Sequence, residues 1–200
     1  MQPLDAHQIT VKLYADESCR IHPDAAVAIF HRWIQEERLK DEIPIDVADY
    51  RHVGHGPGVV LVCHAANYAL DGMNDPNGRP GLSYSRKRVS AGDPATHLEG
   101  AFYAALTACR FLEEEPTLKG VLKFRVDEVS FRIRNRLLAP STSAYAKTLE
   151  ETLHPFLDRL YRGCERITLE ADADSKNLLS ATARVQKPPD AEVLLSRLRA

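Results

Sequence analysis

The chain has 200 residues, 44% hydrophobic and 27% charged, with 26 basic against 28 acidic side chains and a formal net charge of -2, a balance that excludes wholesale electrostatic binding to nucleic acid or membrane while leaving room for a local basic patch. No apolar run approaches the roughly 18 residues of a membrane span, and the opening residues MQPLDAHQ lack the charged start and apolar core of a secretory signal. Cys19, Cys63, Cys109 and Cys164 are scattered without a CxxC pair, which argues against a zinc knuckle or a disulfide scaffold and for reduced thiols in a cytoplasm.

In chain order, Ile9, Val11 and Leu13 alternate with Thr10, Lys12 and Tyr14, which predicts a strand over 9–15 with one buried face. Pro23 suits a first helical turn, and Val27, Phe30, Trp33 and Ile34 make the apolar stripe of a helix running to about Lys40. Ile45 to Arg51 and the most apolar run, Val59 to Cys63, read as two antiparallel strands around a glycine-punctuated loop, with a third strand over Leu82 to Val89 completing a meander. Asp93 caps a predicted helix from Pro94 to Glu114, whose Leu98, Phe102, Leu106 and Cys109 share a face beside small alanines, so it should pack closely on the sheet.

After Pro116 the pattern returns to period two. Leu122, Phe124 and Val126 are followed by Val129, Phe131 and Ile133, so the segment is either a hairpin turning at Asp127 and Glu128 or one long bent strand. Thr142 or Ser143 starts a helix that Pro155 should kink near His154 and Gly163 should end. Strands over Arg166 to Ala171 and Leu178 to Val185, and a short helix from about Asp190, close the chain.

The expected order is β-α-β-β-β-α-β-β-α-β-β-α: a single α+β domain over residues 1–200, mainly antiparallel, with helices packed mostly on one face. The βα alternation of a doubly wound nucleotide-binding fold is missing.

Candidate chemistry centres on residues 45–71. A register with His52 opposite Gly58 puts Tyr50 opposite Val60 and Asp46 opposite His64. The Asp46 carboxylate could then orient His64 as a general base, with Tyr50 contacting substrate, or the two could simply satisfy each other in a polar part of the core. A slip of one residue would move Asp46 to the other face.

His52, His55 and His64 are the set that would hold a metal, but they match no known ligand spacing, so neither metal nor other cofactor is expected. Gly54, Gly56 and Gly58 could turn backbone amides toward an anion, or serve only the turn. Gly81-Leu82-Ser83-Tyr84-Ser85 lacks the last glycine and the strand-turn-helix setting of a nucleophile elbow, and His55-Gly56-Pro57-Gly58 precedes its strand where a hydrolase oxyanion loop would follow one.

Lys123, Arg125, Arg132 and Arg134 should share a sheet face, with Lys123 opposite Arg132 if the segment is a hairpin. Together with Arg86, Lys87 and Arg88 they could bind an anion or contact RNA, or they could be neutralised by acids such as Glu113, Glu114 and Glu115. The leading expectation is a non-catalytic binding or assembly module with a protein partner or self-association, and without nucleic acid or membrane as partner. A small hydrolase using His64 and Asp46, and an anion or nucleic-acid binder using Arg125, Arg132 and Arg134, are the alternatives.

Overall fold

The structure, a computed structural model, describes residues 4, 6–19, 23–54, 56–72, 78–88, 92–137, 139–172 and 177–199. Its elements are β1 (Ile9–Ala15), α1 (Pro23–Gln35), β2 (Pro44–Asp49), β3 (Val59–Cys63), β4 (Ala66–Asp71), β5 (Gly81–Arg86), α2 (Pro94–Glu114), β6 (Phe124–Ile133), α3 (Ser143–Leu160), β7 (Arg166–Asp172), β8 (Ser180–Gln186) and α4 (Ala191–Arg199). The strands form one antiparallel sheet of order β2-β3-β4-β5-β1-β6-β8-β7. The α+β class and the single helical layer agree with the sequence reading.

Period two explains which face is which. Ile9, Val11, Leu13 and Ala15 of β1 are buried beneath the helices, while Thr10, Lys12 and Tyr14 point the other way. The core lies between the sheet and the helices, where Phe102 of α2 stacks on Phe131 of β6 and meets Phe156 of α3 edge-on, at ring-centroid distances of 6.5 and 5.8 Å. Asp93 caps α2 as expected, accepting the Thr96 N–H at 2.8 Å, and α3 begins at the Thr142 cap and runs on through Pro155 to Leu160.

Four expectations are corrected. Helix α1 stops at Gln35, short of Lys40, because Glu37 takes a left-handed φ of 49° and the Arg38 N–H returns to the Trp33 carbonyl at 3.0 Å, closing a Schellman turn around a residue that is not glycine. Strand β4 is an addition, since the chain reverses at His64 and Ala65, which carry no turn signature.

The segment 124–133 is one strand, so the hairpin and its Lys123–Arg132 pairing are overturned. Leu13 pairs with Val129 but Ala15 with Phe124, so the phase change in the apolar pattern marks a bulge holding Arg125 to Glu128. The buried Tyr161 hydroxyl donates to the Val126 carbonyl of that bulge at 2.8 Å. Arg132 instead faces Thr10 and Ser180 across its two neighbouring strands.

Last, the β2–β3 register differs by two residues. Asp46 pairs with Val62 and Ala48 with Val60, while the Tyr50 N–H donates to the Gly58 carbonyl at 2.8 Å. A bulge between Pro44 and Asp46 leaves His64 in the turn beyond this ladder, so Asp46 and His64 are not cross-strand partners.

Both edge strands have a backbone donor closed off by a carboxylate. On β2 the Val47 N–H donates to the Asp46 side chain at 2.8 Å, and on β7 the Ala171 N–H donates to Glu150 of α3 at 3.2 Å. Such bonds blunt edge-to-edge pairing.

Candidate functional site

With every helix on one side, the other face of the sheet carries the side chains that alternate with the core. One continuous row crosses all eight strands. From β1 outward it runs Thr10, Ser85, Asn67, Val62 and Asp46 on one side, and Arg132, Ser180 and Asp172 on the other. The next row holds Lys12, Ser83, Ala69, Val60 and Ala48, then Ser130, Thr182 and Glu170. Small hydroxyl side chains therefore occupy the middle of this face, and Thr10 and Ser85 share a hydrogen bond of 2.9 Å.

Charge is distributed unevenly along the strands. At the end beside the β6 bulge, every cation on this face has an acid. Glu128, only 5% exposed, receives two hydrogen bonds from Arg79 at 2.8 and 2.7 Å and lies 3.3 Å from Arg184, which also pairs with Glu170 at 2.9 Å. Arg125 forms a fork on Asp127, both bonds at 2.9 Å, and Lys12 meets Asp71 at 2.5 Å. The Arg79 guanidinium, with help from Arg184 and Arg125, holds the Glu128 carboxyl below the usual range. Arg79 also lies over the Tyr14 ring, 4.0 Å from its centroid, so the chain just before β5 is clasped onto the sheet.

At the opposite end backbone carbonyls serve as acceptors for cations. Lys87 and Arg88 donate to the carbonyls of Cys63 and His64, at 2.5 and 3.1 Å. Arg132 and Arg134 are exposed, and neither has an acidic partner among the described residues. Beside them a cleft of about 470 Å³ is lined by Arg132, Arg136, Asp172, Asn177, Leu178 and Ser180.

The sequence-predicted residues scatter over this frame. His64 is exposed in the β3–β4 turn, its N–H donating to the Ile43 carbonyl at 2.9 Å, and Asp46 turns back on its own strand. Tyr50 lies in the β2–β3 connection with its ring stacked on His52, centroids 6.5 Å apart. His55 lies outside the described residues. Among the described residues no three His, Cys, Asp or Glu side chains gather closely enough to hold a metal ion.

Gly56 gives its N–H to the Val53 carbonyl at 3.0 Å, and Gly58 sits in the left-handed region with φ 70°, against the backbone of Leu70. Of the basic set, Lys123 pairs with Glu113 and Arg125 with Asp127, so Arg132 and Arg134 stand apart. Arg136 extends their alternate-residue spacing and was legible in principle; nothing local in sequence marks Ser180 or Asn177. Ser83, at the centre of the rejected nucleophile elbow, is mid-strand and donates to Asp71 at 2.5 Å.

Several titratable groups on the helix face are shifted by burial. Burial pushes the Cys63 thiol up to about 12 and the Cys109 thiol well above its ordinary value, so neither supplies a thiolate nucleophile near neutral pH. Burial also raises the Glu42 carboxyl, despite hydrogen bonds from the Ala65 N–H and the Tyr84 hydroxyl, and one of its oxygens has no partner. Because the fold favours the protonated form, its contribution to stability is present below the ordinary carboxyl range and fades as pH rises through the raised folded value. Glu42→Gln is therefore expected to raise the urea midpoint at about pH 7 and to give no gain at about pH 4, as measured by urea unfolding at both values.

No family model matches the chain, and no curated protein matches it. Among the described residues, no helix is long and apolar enough to cross a membrane.

Proposed function

We propose that this chain is a non-catalytic binding module that receives an anionic ligand on the helix-free face of its sheet, at the end where β6 runs into Arg134. The observation that carries this reading is the contrast along that face: acids answer the cations around Glu128, whereas Arg132 and Arg134 have no acidic partner among the described residues. Exposed guanidinium groups on a rigid strand present forked donors suited to phosphate or carboxylate. A His64 and Asp46 general-base pair has less support, because the ladder sets Asp46 against Val62. Four free cysteines fit a reducing, cytoplasmic setting.

Calorimetric titration with tripolyphosphate tests the reading. Binding should weaken as salt rises and fall by about tenfold or more when Arg132→Gln and Arg134→Gln are combined, while Asp46→Asn with His64→Gln leaves it unchanged. Binding that survives the arginine changes but not the Asp46 and His64 changes would overturn it.

A second reading, self-association through β2, is supported by Ile43, just before that edge strand, and Ile45 on it, which are 66% and 58% exposed. The closed Val47 N–H argues for contact through side chains. Sedimentation across a concentration series checks it, with dimer expected for the native chain and monomer for Ile45→Lys.

A further inference from the structure

Resting on the anion-binding reading, we infer that the cleft at the β6–β8–β7 end takes a metabolite-sized molecule, whose phosphate or carboxylate is gripped by Arg132 and whose body carries hydroxyl or amine donors for Asp172. Arg132, Ser180 and Asp172 stand side by side on three neighbouring strands, so a guanidinium, a hydroxyl and a carboxylate meet within one cross-strand row. Arg136 lines the same cleft, Leu178 supplies an apolar wall, and the volume of about 470 Å³ lies within the range of small-molecule sites.

Three features favour a compact anion over a polymer. The row that contains Arg132 ends in a carboxylate at each edge of the sheet, Asp46 on β2 and Asp172 on β7, so a polyanion laid across it meets repulsion at both ends. A strand of nucleic acid laid along β6 instead would reach the Glu128 and Glu170 cluster, where the arginines are already taken. Among the described residues no aromatic side chain lines the cleft to stack a base. Asp172, across Ser180 from Arg132, also selects: its carboxylate repels a bare polyphosphate, whereas it can accept from a hydroxyl or amine carried beside the oxyanion of a smaller molecule.

The experiment is calorimetric titration of the full chain with glycerol 3-phosphate, with citrate and with a thymidylate dodecamer, repeated on Arg132→Gln and on Lys147→Gln, a control on the exposed side of α3. The expected result is saturable binding of glycerol 3-phosphate or citrate at one site per chain, weakened by about tenfold or more in Arg132→Gln and unchanged in Lys147→Gln. Which of the two binds assigns the oxyanion as phosphate or carboxylate. Binding of the dodecamer alone, dependent on Arg132, overturns the small-molecule site and leaves the anion-binding reading standing. If none of the three binds, or if Arg132→Gln changes nothing, the small-molecule site falls, and tripolyphosphate titration decides the anion-binding reading separately; circular dichroism of the variant separates that outcome from misfolding.

Discussion

Glu115→Ala is expected to lower the melting temperature by about 6 to 12 °C, corresponding to a loss of about 3 kcal/mol in a chain of this size. Glu115 closes the C-terminal end of α2 and is only 7% exposed. Its carboxylate accepts the indole N–H of the fully buried Trp33 at 2.5 Å and the guanidinium of Arg32, so one side chain ties α2 to α1. Removing it leaves the indole N–H without an acceptor in the core, which costs about 1–3 kcal/mol, and strips the Arg32 charge of its partner. Arg32 reaches solvent and can rehydrate, which holds the total near the lower end for a broken buried pair. Glu115→Gln keeps an acceptor for Trp33 and should lose about half as much. Calorimetric melting of the two variants checks the order; equal losses would mean that the ion pair with Arg32, and not the indole bond, carries the effect.

Gly58→Ala is the second large loss, expected at about 3 kcal/mol in urea unfolding. Gly58 has a φ of 70°, and a Cβ there would stand 2.2 Å from the Leu70 carbonyl oxygen, inside the β3–β4 pairing at Val59 and Leu70. The left-handed backbone alone costs a residue with a side chain about 1–2 kcal/mol, and the clash forces the strands apart. Gly54→Ala is the control: nothing lies within 4 Å of a Cβ at that position, so the change should stay within about 0.5 kcal/mol. A Gly58→Ala variant of native stability that fails to bind tripolyphosphate would return Gly58 to the ligand, as one reading of the glycine loop has it.

Several features were legible because they depend on near neighbours in the chain. Period-two alternation placed β1 at its observed bounds, and the Asp93-Pro94 start with its stripe of Leu98, Phe102, Leu106 and Cys109 located α2 and its buried face. Antiparallel pairing followed from strands separated by short connections. Where the reading failed, the signal was ambiguous or absent. The Schellman turn at Glu37 and the reversal at His64 and Ala65 use residues without turn preference, and the phase change after Val126 fits a hairpin as well as a bulge. The two-residue offset between β2 and β3 is also invisible locally, because it keeps each side chain on the same face and so leaves the hydrophobic pattern unchanged.

The residues of the candidate site divide in the same way. Alternating Arg132 and Arg134 could be read from the chain, since period two alone puts them on the polar face of a strand. That Arg125, on the same strand, is taken by Asp127 while Arg132 stands beside Ser180 and Asp172 depends on a bulge in β6 and on β8 entering between β6 and β7. Local periodicity thus establishes which face a side chain takes, because it is a property of a few consecutive backbone dihedrals. Charge compensation is a property of partners brought together over distances in sequence such as that from Arg79 to Glu128, and long-range pairing sets the end of this face where those acids and cations meet apart from the end proposed to receive an anion.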